Sequence, residues 1–275
     1  MKKILVPCDF SSPSKDAFRF AVQLADRTGA EVYVLRVTEL PVIYEPGFGV
    51  PEYGFDQELA HELEEDAKHK LDELGKRCGV SGTNIHLLSE SGPVNSTIRQ
   101  VSKDRDMDLV VMSTHHHDSW FDSILGTHTR KMVRSSRVPV LALKQFVPVE
   151  SIRSIVFPTL LTTERQEVVQ RILTLQKLFD ATLHILFVNN PDDFHRDKDI
   201  RKCMGSFVEK YSFQKFTTNI YNDETSANGI INFTAEINAD LIAMGHRGSV
   251  PLFSDNVAEE VLDGTDAMFW SFMVP

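Results

Sequence analysis

The chain has 275 residues, of which 42% are hydrophobic and 25% charged, as suits a globular protein of one large or two medium domains. A net charge of −10 with no basic block argues against nucleic-acid binding. No stretch approaches the ~20 apolar residues of a membrane-spanning helix, and three distant cysteines without a CxxC pair (Cys8, Cys78, Cys203) indicate neither a disulfide framework nor a cysteine zinc site.

The opening MKKILVPCDF carries two lysines but only a short apolar run, broken by Pro7 and Asp9. It does not read as a signal peptide, so a cytoplasmic location is expected. Within it, Ile4 to Val6 predict a first strand buried on both faces. SSPSKDAFRFAVQLADRTG predicts a helix: Ser11 or Ser12 can cap it, Pro13 suits its first turn, and Gly29 stops it. EVYVLRV is a second strand, and the Pro-, Gly- and aromatic-rich stretch from Pro41 to Phe55 reads as a loop. A long charged helix follows, then the strand NIHLLSE and the helix PVNSTIRQVSKDRD. DLVVMST predicts a fourth strand, Gly126-Thr127 the start of a helix, and VPVLAL a fifth strand.

The pattern then repeats. KILVPCDFS from Lys3 matches SIVFPTLLT from Ser154, and GAEVYVLRVTELP matches DATLHILFVNNP, both offset by 151 residues. DLVVMSTHHH from Asp108 matches DLIAMGHRGS from Asp240, offset by 132. Strands alternating with helices predict an α/β fold of two repeated open, doubly wound, parallel five-stranded sheets. The expected domains are 1–145 and 151–275, the second degenerate. Ligands in such sheets bind beyond the carboxyl ends of the strands.

The segments ILVPCDFS, GAEVYVLRV, DLVVMSTH, LGTHTRKMVR and VPVLAL, with IVFPTLL, ATLHILFV, DLIAMGHRG and NVAEEVL in the second half, resemble the universal stress protein family in its tandem two-domain form. The resemblance implies a Rossmann-like nucleotide-binding fold. Some members of the family bind ATP and others bind no nucleotide. Binders carry G-x-x-G, nine residues, then G-[ST] after the fourth strand. The glycines let backbone N–H groups face phosphate, and the second part lies at a helix N-terminus. An aspartate after the first strand and the backbone at the end of the second hold the adenosine end.

Carried over, the resemblance implies Asp9 and Val37 for the adenosine end, Ser113 and His116 in place of the two glycines with His115 between them, and Gly126-Thr127 for G-[ST]. In the second half Gly245 and Gly248 keep the glycines, but Leu160 replaces the aspartate, the spacing shrinks to six residues, and Asp255-Asn256 replaces G-[ST]. Of the run His115, His116, His117, only His115 and His117 share a face of an extended segment and could share a metal ion. No third ligand stands at a set spacing, so a polar loop is the favoured reading. Asp9 and Thr127 could equally act as helix caps, Gly245 and Gly248 as turn glycines, and Cys8 as a packing residue.

The expected function is therefore that of a stress-response regulatory or binding protein, holding an adenine nucleotide such as ATP, with or without Mg, in the first domain. The alternative is a nucleotide-free interaction or scaffold protein with both motifs degenerate. The sequence holds no GxxxxGK[ST] loop and no GxSxG elbow, which argues against a turnover enzyme. The apolar runs VPVLAL and MFWSFMVP predict an intramolecular pseudo-dimer through the last strands, with a further homodimer open.

Overall fold

Strand β1 (Lys3–Pro7) holds Ile4, Leu5 and Val6 with no exposed surface, as a strand covered on both faces requires. The computed structural model describes residues 1–39, 57–77, 83–114, 123–161, 166–211, 213–246, 253 and 255–273, and the loop expected from Pro41 to Phe55 lies outside them. Helix α1 (Ser12–Thr28) follows. Ser11 takes the cap, its hydroxyl accepting from the Ser14 amide at 3.4 Å, and Pro13 stands in the first turn. Gly29 ends the helix at φ 71°, its N–H donating to the Ala25 carbonyl at 2.7 Å. The face of Ala17, Phe18, Ala21, Val22, Leu24 and Ala25 is buried.

Strand β2 (Glu31–Thr38), α2 (Gln57–Arg77), β3 (Ile85–Ser91), α3 (Val94–Asp104) and β4 (Leu109–Ser113) complete the alternation of the first repeat up to its fourth strand. The chain divides into two compact units, Met1–Met112 and Ser113–Pro275. In the first, the strands are all parallel in the order β3-β2-β1-β4, with Pro7 level with Leu35 in the β1–β2 ladder.

The second unit continues with α4 (Ser123–Ser135), β5 (Val140–Leu143), β6 (Ser154–Pro158), α5 (Gln166–Phe179), β7 (Thr182–Asn189), α6 (Asp197–Tyr211), β8 (Phe216–Asn222), α7 (Ser226–Glu236), β9 (Leu241–His246), α8 (Asp255–Gly264) and β10 (Met268–Met273). Its sheet order is β5-β10-β9-β6-β7-β8. The strands β6 to β10 are mutually parallel and repeat the order of the first unit, while β5 joins β10 antiparallel, Trp270 facing Leu141. The last strands of the two repeats thus pair, which groups β5 with the second unit although the repeat counts it in the first.

The repeat holds down to single hydrogen bonds. Cys8 N donates to Leu35 O, and Thr159 N to Leu186 O, each at 2.9 Å. Positive φ recurs at Phe10 and Leu161, at Asp106 and Asn238, and at Gly29 and Asp180. Asp108 accepts from the amides of Lys2 and Lys3, and Asp240 accepts from those of Arg153 and Ser154, the last two at 2.9 Å each. Helix α4 departs from expectation. It starts at Ser123, so Gly126 and Thr127 are its fourth and fifth residues rather than its opening pair. Leu125 is a good helix former, and Ser-Ile-Leu holds no Gly or Pro to stop the helix from extending three residues upstream.

Candidate functional site

Asp9 stands just past the end of β1. Its Oδ1 accepts from the Ser11 amide at 3.0 Å, closing an Asx turn that leads the chain through the left-handed Phe10 (φ 63°) into α1. Ser11, not Asp9, is the helix cap, so the carboxylate is not consumed in capping. Burial alone would raise the Asp9 pKa. Hydrogen bonds from the Ser11 and Ser14 hydroxyls and the Ser11 amide outweigh it and hold the carboxyl below its ordinary value. An exposed, ionised acceptor is thereby fixed at the carboxyl end of β1. Val37 lies near the end of β2, level with Glu90 of β3. With Pro7 level with Leu35, Asp9 and Val37 both belong to the carboxyl edge of the first unit's sheet.

Ser113 is the buried last residue of β4, and its carbonyl accepts from the Thr129 hydroxyl of α4 at 2.9 Å. The Thr114 amide donates to Leu143 O at 2.8 Å. Its side chain is buried, yet the hydroxyl oxygen has no partner among the described residues. His115, His116 and His117 lie outside the described residues. Thr127 is exposed on the second turn of α4, and Gly126 is the residue before it. Thr114 and Thr129 were not singled out from sequence. The available signal was a hydroxyl directly after a strand, and another one helical turn past Gly126.

The second repeat presents a different edge. Leu160 and Leu161 follow β6, and Leu161 packs on a buried cluster of Phe187, Ile200 and Met204. At the ends of β7 and β8 the side chains satisfy one another. Asn189 donates to Asn222 at 3.0 Å, and Asn190 to Ser226 at 3.0 Å. Val188, the counterpart of Val37, is buried, and a Cβ added at Gly229 would lie 2.4 Å from its Cγ1. Gly245 is buried in β9, and Gly248 lies outside the described residues. Helix α8 begins on Asp255, an acidic residue where the first repeat has Gly126. Among the described residues, apolar and amide groups line this edge.

Among the described residues no cluster of three potential metal ligands occurs, and no helix is long and apolar enough to cross a membrane.

The comparisons with known proteins agree with this architecture. The model of the universal stress protein family matches residues 1–144. A universal stress protein of Methanocaldococcus jannaschii is 28% identical over 145 residues, covering 52% of this chain and 82% of that protein. Universal stress protein A of Escherichia coli is 30% identical over 141 residues, covering 51% of this chain and 92% of its own. The crystal structure of a universal stress protein from Archaeoglobus fulgidus covers 98% of this chain and 96% of its own, with a TM-score of 0.72 at 19% identity, which shows a shared fold. The sequence relatives each span one repeat, and the fold likeness spans both. A family match across more than half the chain, on a repeated α/β sheet whose turns recur residue for residue, means that this chain belongs to the universal stress protein family.

Proposed function

We propose that the first repeat binds an adenine nucleotide, and that the chain works as a nucleotide-responsive regulatory protein of the stress response. The observation that carries this reading is Asp9. Its carboxylate is ionised, exposed and fixed by a turn it shares with Ser11, at the sheet edge where ligands of open α/β folds bind. In this reading Asp9 accepts from the ribose or adenine, and the Val37 backbone holds the base. Ser113 at the end of β4, His115 and His116 after it in the chain, and Gly126 and Thr127 of α4 are the residues assigned to the phosphates. Thr114 adds a hydroxyl beside Ser113. ATP is the nucleotide expected, and Mg would ride on its phosphates. Ser113 and His116 stand where binders carry glycine and disfavour the φ > 0 backbone that turns successive N–H groups toward a phosphate chain, so affinity is modest.

A second reading has support in the second repeat, whose edge carries Leu161, packed with Phe187, and the Asn189–Asn222 pair. There the repeat serves as a nucleotide-free partner that presents surfaces, and Gly245 and Gly248 are turn glycines. Two measurements decide. Denaturing the purified protein and running the supernatant on ion-exchange chromatography is expected to release one adenine nucleotide per chain, or substoichiometric amounts if it exchanges. Calorimetry with ATP is expected to show one site, weakened by Asp9→Ala and indifferent to Leu160→Ala. Absence of binding in both measurements would leave the nucleotide-free reading.

A further inference from the structure

Helix α6 buries the stripe Ile200, Met204 and Phe207. Its neighbouring stripe is left open, and between it and Leu161 runs a cleft of about 450 Å³, within the range of small-molecule sites. The cleft has an apolar and aromatic wall. Phe207 and Tyr211 pack edge to face with ring centroids 5.1 Å apart, and Leu161 stands opposite, backed by the Phe187 cluster.

The same cleft carries Lys202 and Lys210. Arg201, next to them, is matched by Asp197 at 2.7 Å, but neither lysine has an ion-pair partner among the described residues. The Lys210 ammonium rests 4.8 Å from the centre of the Tyr211 ring, an interaction that leaves its charge uncompensated. The two Cα positions are eight residues apart, about 12 Å along the helix, so two flexible ammonium groups can converge on one anion. Two unmatched cations in one cleft are notable in a chain of net charge −10. One carboxylate, Asp199, also lines the cleft, one turn nearer the helix start. It disfavours a polyanion such as a triphosphate and leaves the Lys210 end the more positive. Ser206 and the exposed Cys203 complete the wall.

We infer that this cleft is a binding site for a small organic anion with an aromatic body, an aryl carboxylate or sulfonate, whose ring lies on Tyr211, Phe207 and Leu161 and whose charge meets Lys202 and Lys210. The site stands apart from the nucleotide reading. It belongs to the second repeat, and its wall is built by Leu161 and α6.

The probe is 8-anilinonaphthalene-1-sulfonate on the full chain, read in two ways. Fluorescence titration is expected to show a saturable site. Alkylation of Cys203 by neutral iodoacetamide, followed by peptide mass spectrometry, is expected to slow at least fivefold at saturation, because the bound ring covers the thiol. The double variant Lys202→Glu/Lys210→Glu should weaken the probe at least tenfold and remove the protection. Ser206→Trp, which fills the cleft without changing charge, should do the same, and all three side chains are exposed, so folding is retained. Cys203 alkylation at the same rate with and without saturating probe overturns the assignment, as does unchanged affinity in both variants.

Discussion

Asp9 is a carboxylate whose hydrogen bonds outweigh its burial, so its folded pKa lies below the ordinary 3.8. The linkage has a definite sign. The stability it contributes is fully present above about pH 4 and is lost as pH falls through the lower folded value. Asp9→Asn is therefore expected to lower stability at pH 6 and to matter progressively less toward pH 3, as read by urea unfolding at both pH values. An equal loss at the two values would mean the carboxylate acts only through shape. For ligand binding, losing one buried hydrogen bond to the nucleotide in Asp9→Ala costs about 1–3 kcal/mol. Cys8 shows the opposite balance. Burial raises its pKa against the lowering effect of the Ser14 hydroxyl, so the thiol stays protonated and unreactive. Native-state alkylation is expected to modify the exposed Cys203 and spare Cys8, which reacts only after unfolding.

At the scale of single elements the repeat uses the same devices with different residues. Helix α1 ends on Gly29 at φ 71°, while α5 ends on Asp180 at φ 51°. Glycine adopts that conformation without strain, and an added Cβ would meet nothing within 4 Å, so Gly29→Ala isolates the backbone cost. It is expected to destabilise by about 1–2 kcal/mol. Gly229→Ala isolates packing instead, since its Cβ would meet Val188 Cγ1 at 2.4 Å and α7 must shift from β7. An overpacking cost of about 1–3 kcal/mol is expected, measured by the same denaturant midpoint. Asp240 ties the start of β6 by accepting from two backbone amides and the Ser154 hydroxyl, the last at 2.7 Å. Asp240→Ala leaves those donors without their acceptor and is expected to cost about 1.5–3 kcal/mol. The caps and turns of α1 were legible in sequence because Ser, Pro and Gly act locally. The start of α4 was not, because a serine three residues upstream of Gly126 is equally able to open a helix.

For the whole molecule, the ladder between β5 and β10 is the contact that joins the last strands of the two repeats. It pairs Val140 with Ser271, Leu141 with Trp270 and Ala142 with Phe269. The Ser271 hydroxyl donates to Val133 O at 3.1 Å, and Arg130 meets Asp263 at 3.1 Å beside it. The surface pair adds little, and the buried strands carry the association. Val140 to Leu143 are at most 1% exposed, and without β10 their edge would be open to pairing. A fragment of residues 1–145 is therefore expected to dimerise or aggregate. Light scattering that finds it strictly monomeric at high concentration would count against this ladder as an association surface. With the β5 edge occupied inside the chain, a homodimer of the full protein would have to use another surface.

What the sequence by itself determined was the repeat, the alternation of strand and helix, and the local punctuation. Buried strands on both faces leave continuous apolar runs, and caps need particular side chains within three residues of a helix end. The pairing of the two apolar last strands was legible for the same reason, since an uncharged edge requires a cover. The tertiary structure alone decided the rest. It placed the Thr129 hydroxyl on the Ser113 carbonyl, 16 residues away in the chain. It assembled the cleft of Leu161 and α6 from segments some 40 residues apart. Each of these depends on which side chains meet across space, and a linear pattern carries only the distances along the chain.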